Sequence, residues 1–228
     1  MSIKELKENA LFIADAHYPH HGNNFLEILK QLKEEKTTTQ LFLMGDIFDL
    51  LFGHNNYIQN FAKEAIELLN ELSIQIEIVY LEGNHDFCLK EIFPHIQIYS
   101  REQQPIQYKL KKQDVYLSHG DKYQTGFGYN LYSKILRNRY TLTLLKPFEK
   151  SIINHRMKKL KEKNICGNFK NYQKRFDAIR GDYPQNSLII EGHFHQSIIH
   201  KNYISLPSLA CQKKIAKVHN GKIVFIKL

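Results

Sequence analysis

One feature constrains this chain more than any other. Five times, a short cluster rich in Asp, His and Asn recurs, mostly at the end of an apolar run. Asp15-Ala16-His17 closes the run 10–14. Gly45-Asp46-Ile47-Phe48-Asp49, Gly83-Asn84-His85-Asp86, His119-Gly120-Asp121 and Gly192-His193-Phe194-His195 follow in that order. Each cluster reads as a strand end followed by a loop. A strand end is a rigid mount, and the loop after it projects side chains into a shared crevice. A single Asp-x-His is more often a core histidine beside a turn aspartate. Five such clusters in series point to metal ligation.

The segments between the clusters set the fold class. Strands are expected at 10–14, 40–44 and 74–81, alternating with amphipathic helices at 23–36 and 57–72. Such alternation implies parallel strands joined by helical crossovers. After Asp86 the pattern turns to strands at 96–99, 106–110 and 115–118. A long helical stretch at 129–164 follows, in which Pro147 starts a second helix, and then a helix at 172–180. Strands return at 187–191, 198–199, 203–205, 215–219 and 222–226, with Asn220-Gly221 marking a hairpin. The expectation is an α/β fold of two mixed β-sheets packed as a sandwich flanked by helices. Residues 1–228 read as one domain with a helical, basic insertion at about 129–180.

With 43% hydrophobic and 24% charged residues, a full core is available. The net charge of +9 favours an anionic partner. Cys88, Cys166 and Cys211 are far apart and odd in number, so neither a zinc ribbon nor a disulfide framework is expected. That pattern fits a reducing cytosol. No apolar stretch reaches the ~18 residues that span a bilayer.

The candidate metal ligands are Asp15, His17, Asp46, Asn84, His119, His193 and His195. Mixed imidazole and oxygen donors suit Mn²⁺, with Fe²⁺ or Zn²⁺ as alternatives, better than Ca²⁺. Seven ligands are too many for one ion and suit two divalent ions sharing a carboxylate. The chemistry implied is hydrolysis of a phosphate ester or anhydride. His20, His21, His54 and His95 have no ligand spacing and read as loop or surface histidines.

Taken together, Asp-x-His, Gly-Asp-x-x-Asp, Gly-Asn-His-Asp, His and Gly-His-x-His resemble the calcineurin-like metallophosphoesterases over residues 15 to 195. The resemblance implies that Asp15, His17 and His195 hold one metal, and Asn84, His119 and His193 the other. Asp46 would bridge them. His85 would be catalytic without being a ligand, meeting the phosphate and the leaving oxygen, in keeping with an imidazole's proton exchange near neutral pH. Asp49 and Asp86 are placed to orient an imidazole from behind, or to cap a turn.

Between positions 129 and 164 there are ten Lys and Arg against two Glu, with many aliphatic residues interleaved. A basic amphipathic helix reads as a membrane-surface element; the plainer reading is a helix packing its apolar side on the core. Within the family, such an insertion resembles the UDP-2,3-diacylglucosamine diphosphatases of lipid A synthesis, whose lid holds acyl chains. That resemblance implies cleavage of a nucleotide-sugar lipid at its pyrophosphate. It also implies a cytoplasmic protein, peripheral on the inner face of the cell membrane, with an anionic membrane surface as partner. Lys134, Arg137, Leu144, Leu145, Phe148, Lys158 and Lys159 would be the substrate or lid residues. Two departures stand out: that branch commonly carries Arg where this chain has His85, and Lys122–Gly126 replaces an acidic stretch. The rivals are another phosphodiesterase or a nuclease, for which a row of stacking aromatics is missing, and a non-catalytic scaffold, for which no ligand is missing.

Overall fold

The computed structural model describes residues 3–53, 55–123, 137–167 and 171–228, with Gly128, Leu131, Lys134 and Ile135. His54 and the expected helix start at Tyr129 lie outside the described residues. In chain order the elements are β1 (Lys4–Glu5), β2 (Leu11–Ile13), α1 (Asn24–Glu35), β3 (Gln40–Leu43), β4 (Leu51–Phe52), α2 (Asn56–Gln59), α3 (Lys63–Leu72), β5 (Glu77–Leu81), β6 (Asp86–Phe87) and β7 (Gln97–Tyr99). Then come β8 (Ile106–Leu110), β9 (Gln113–Ser118), α4 (Arg139–Leu145), α5 (Glu149–Glu162), α6 (Tyr172–Arg180), β10 (Leu188–Glu191), β11 (Ile198–His200), β12 (Tyr203–Ser205), α7 (Leu209–Gln212), β13 (Lys214–His219) and β14 (Lys222–Lys227).

Two six-stranded mixed sheets result, ordered β1-β8-β9-β10-β12-β11 and β14-β13-β2-β3-β5-β7. In the second, β2, β3 and β5 pair in parallel, with Leu11 opposite Leu41 and Leu41 opposite Ile78. Parallel strands covered on both faces read as unbroken apolar runs, and the period of two then sorts their side chains. Phe12, Phe42 and Val79 point between the sheets. There Phe42 stacks on Phe12 at 4.7 Å and meets Tyr108 of the opposite sheet edge-on at 5.1 Å. Leu11, Ile13, Leu43 and Tyr80 point the other way, onto Phe25 and Leu29 of α1 and Leu69 of α3. Across the other sheet, Phe176 and Ile179 of α6 cover Ile189 and Tyr203. The expected sandwich flanked by helices is the architecture observed.

Local differences have local causes. The helix expected at 57–72 is broken at Asn60–Ala62 by a tighter turn, so Asn55 caps a separate short helix through Ile58 N–H at 3.0 Å. Pro147 does divide the helical stretch, sitting in a tight turn, Lys146–Phe148, between α4 and α5. The β4–β6 pair was not expected: two-residue strands are too short to carry a periodic signal.

Candidate metal centre

All five clusters sit at carboxyl ends of strands. β2, β3 and β5 of one sheet and β9 and β10 of the other run to the same edge, where an open α/β sheet presents its crevice. The loops are interlocked by backbone bonds: Asp15 N–H to Gly45 O (3.1 Å), His17 N–H to Asp46 O (3.1 Å), and Tyr18 N–H to Ile47 O (2.9 Å). Asp15, His17, Asp46, His193 and His195 all have positive φ, between 46° and 64°. Non-glycine residues rarely adopt that region, and it persists only where the surroundings enforce it. Gly83 is required by close approach: a Cβ there would lie 2.2 Å from Asp46 Oδ1.

Two constellations form. Asp15, His17 and His195 bring one ligand atom each within 4.8 Å of one another, and so do Asp46, His119 and His193. Asn84 joins the second, its Oδ1 3.4 Å from His119 Nε2, which also faces Asp46 Oδ2 at 3.5 Å. Both open into one cleft of about 360 Å³, with His85 on its wall.

The donor set fits divalent metal ions. His119 donates its Nδ1–H to Met44 O at 2.8 Å, which leaves the Nε2 lone pair for a metal. Among the described residues His17 Nδ1 is buried with no hydrogen-bond partner, and buried Asp15 Oδ1 has His195 Nε2, another candidate ligand, at 3.2 Å, an arrangement costly unless a bound ion completes it. Burial drives His17 down to about 3 and His193 to about 4, so both are neutral bases at physiological pH. Burial works against a charged His119 too, but the Asp46, Asp15 and Asp121 carboxylates together raise that imidazole well above its usual value.

Among the described residues, Asp86 forms no hydrogen bond to an imidazole. Its carboxylate accepts from the backbone N–H of Ile47 (2.7 Å), Gly83 (2.8 Å) and Asp46 (3.1 Å), and from Tyr80 Oη–H (2.6 Å). It thus welds the Asp46 loop to the Asn84 loop. Asp49 gathers histidines: His20 Nδ1 lies 2.8 Å, His21 Nε2 3.5 Å and His17 Nδ1 4.0 Å from its carboxylate. His95 is exposed.

The insertion residues separate. Lys134, Leu144, Phe148, Lys158 and Lys159 are exposed, while Leu145 lines a cleft beside the centre. Arg137 turns inward, donating to Gly83 O (2.5 Å) and pairing with Glu82 (3.3 Å), with its guanidinium 5.2 Å from the Phe87 ring centre. α5 buries Ile153, Met157 and Leu160 in the core, as the plainer reading of a basic amphipathic helix requires.

The cysteine expectation is corrected. Cys166 and Cys211 form a disulfide with their Cα atoms 5.4 Å apart. Separation along the chain hid the pair: the segment after α5 and the helix α7 meet beside His195, whose Nδ1 is 3.6 Å from Cys211 Sγ. Residues Lys163, Asn164, Ile165 and Gly167, next to Cys166, form a cleft wall that the sequence did not reveal. Closing a loop of 45 residues stabilises by about 4 kcal/mol in the chain-entropy model. Reduction, or Cys166→Ser, is therefore expected to lower the Tm by roughly 8–16 °C, with the bridge visible in a non-reducing peptide map. An unchanged Tm would mean the bridge carries no such constraint.

Two metal-ligand constellations at one strand edge of a double-sheet sandwich define a metal-dependent phosphoesterase. The chain belongs to that family: residues 9–197 match the model of the calcineurin-like phosphoesterases. Among curated proteins, a UDP-2,3-diacylglucosamine hydrolase of Hamiltonella defensa is 27% identical over 226 residues, covering 92% of this chain and 86% of that protein. The protein of the same name from Chromohalobacter salexigens is 31% identical over 121 residues, 51% of this chain and 48% of its own. That of Blochmanniella pennsylvanica is 28% identical, covering 86% and 82%. A solved phosphoesterase from E. coli aligns over 96% of this chain and 92% of its own at 17% identity, with a TM-score of 0.48. No helix among the described residues is long and apolar enough to cross a membrane.

Proposed function

We propose that this metallophosphoesterase hydrolyses the pyrophosphate bond of UDP-2,3-diacylglucosamine, giving UMP and 2,3-diacylglucosamine 1-phosphate. Asp15, His17 and His195 hold one divalent ion, Asn84, His119 and His193 a second, and Asp46 is shared; Mn²⁺ is the favoured metal. When bound, such ions neutralise phosphoryl charge and lower the pKa of a coordinated water. His85 donates Nδ1–H to Asp49 O at 2.7 Å, so its exchange with substrate runs through Nε2, toward the leaving oxygen. The names of the relatives support this substrate.

One observation carries the lipid reading. An apolar cleft of about 320 Å³ lies between Phe52 and Phe87 on the domain and Leu142, Leu145 and Ile152 on the insertion. It shares Asn84, His85 and Lys163 with the metal cleft. A phosphate at the metals could therefore trail an acyl chain into an apolar slot. The same insertion exposes Leu144 (78%) and Phe148 (66%) as well as Lys158 and Lys159, the apolar and basic groups that binding to an anionic membrane uses.

The test pairs substrates. Purified protein with Mn²⁺ is given UDP-2,3-diacylglucosamine, bis-p-nitrophenyl phosphate and single-stranded DNA. The acylated substrate is expected to give the highest kcat/KM. Leu145→Asp should raise its KM about tenfold or more while leaving the small diester unaffected. Lys158→Glu with Lys159→Glu should weaken co-sedimentation with anionic vesicles by roughly thirty-fold, at about 1 kcal/mol per residue. Preference for DNA, or equal losses of activity on both substrates, would refute the lipid reading.

A further inference from the structure

Behind the metal centre lies a buried cation that the ligand chemistry does not use. Arg175, on α6, is 6% exposed and Glu191, at the end of β10, is 0% exposed. The guanidinium grips that carboxylate with two nitrogens, Nη2 to Oε1 at 2.6 Å and Nε to Oε2 at 3.1 Å. Tyr203 Oη–H (3.0 Å) and Ser118 Oγ–H (3.3 Å) complete the carboxylate's shell. The same Nη2 donates to Gly120 O at 3.4 Å, and the guanidinium lies 5.3 Å from the Phe194 ring centre.

These contacts converge on two ligands. Glu191 is two residues before His193, Phe194 is one after it, and Gly120 follows His119. The Phe194 and His193 rings meet edge-on at 5.2 Å, and His193 meets His119 at 5.0 Å. Gly120 has φ +108°, and a Cβ there would be 3.0 Å from Phe194 Cε2, so this layer is closely packed. The Asp15–His17–His195 set is held by other means. Ser208 Oγ–H donates to Asp15 O at 2.9 Å and Gln212 Nε2–H to His195 O at 2.5 Å, while the bond from His193 to Asp15 Oδ2 (2.9 Å) comes from its backbone N–H and not its imidazole.

We infer that Arg175, clamped to Glu191, is a positioning residue that aims His119 and His193 and so sets metal affinity at the Asp46–His119–His193 constellation. The last helix of the basic segment is thus a brace for the centre rather than part of a lid. The inference requires the metal assignment of the preceding subsection. Lysine does not substitute, because an ammonium cannot grip both carboxylate oxygens, reach Gly120 O and cover Phe194 at once. Partners behind a metal ligand typically contribute 10–100-fold in affinity.

Three forms are titrated metal-free with Mn²⁺, counting ions per chain by equilibrium dialysis and following them by electron paramagnetic resonance: wild type, Arg175→Lys, and the double variant Arg175→Met with Glu191→Met. The double variant removes both charges together, because a buried pair replaced whole by apolar side chains keeps its stability, whereas one left unpartnered does not. Wild type is expected to take two ions. Both variants should keep one tight ion and hold the second 10–100-fold more weakly, with metal-free Tm close to wild type. Two ions bound as tightly as in wild type by either variant would overturn the positioning role. Equal weakening of both ions would overturn its confinement to one constellation. A wild type that binds fewer than two ions would overturn the metal assignment itself, and with it this inference.

Discussion

If, as proposed, Asp46 is shared by both ions, Asp46→Asn is expected to weaken both and cost roughly 10³-fold or more in turnover, because several kcal/mol of charge stabilisation would depend on that carboxylate. Its geometry explains why an isosteric change suffices. Oδ1 accepts His85 N–H at 2.9 Å and Oδ2 faces His119 Nε2 at 3.5 Å, so the amide keeps the shape but loses the charge that faces His119. The change has a pH signature as well. In the metal-free protein the neighbouring carboxylates, Asp46 foremost, hold His119 protonated further above its usual range despite burial. Metal uptake must expel that proton, so wild-type affinity should fall as pH is lowered. In Asp46→Asn the His119 proton is held less firmly, and the pH dependence should be shallower. Mn²⁺ titration at several pH values, with metal analysis of the purified variant, decides it. Two tight ions with normal turnover would remove Asp46 from the shared position.

His85→Ala is expected to lower turnover by about 10²–10⁴-fold while both ions stay bound. His85 belongs to neither constellation. It lies on the wall of the metal cleft and of the apolar cleft, with its ring 5.0 Å from that of His17. The loop should survive truncation, because Asp86 still ties it to the Asp46 loop through Gly83 N–H and Asp46 N–H, and alanine keeps the backbone N–H that donates to Asp46 Oδ1. His85→Arg is the more informative change: it keeps a cation for the phosphate but offers no proton near neutral pH. Turnover should recover in part, because the cation again meets the phosphate while proton delivery to the leaving oxygen is not restored. Loss of an ion in His85→Ala would instead make this imidazole a ligand.

The sequence by itself determined the sandwich, the order of its main strands and helices and the positions of the five clusters, but not the short β1, β4, β6 and α7. Those signals are local: a period of two or 3.6, a proline at a helix start, Asn220-Gly221 with φ of 54° and 69° at the β13–β14 turn. The seven candidate ligands were legible for the same reason, since each cluster stands at a strand end and parallel strands bring their ends to one edge.

Contacts between distant segments left no periodic trace. Asp86 reads as a turn or orienting aspartate along the chain, and only the folded loops show it collecting four backbone N–H groups and a tyrosine. Arg137 and Arg175 count equally toward a basic insertion. Packing turns Arg137 onto the Gly83 carbonyl and buries Arg175 against Glu191, while Lys158 and Lys159 stay in solvent. Cys166 and Cys211 are 45 residues apart and meet because α5 and α7 end beside the same imidazole. In each case the deciding energy is the desolvation of a charge or the closing of a long loop. Both depend on which surfaces the core brings together, and no local pattern of residues specifies that.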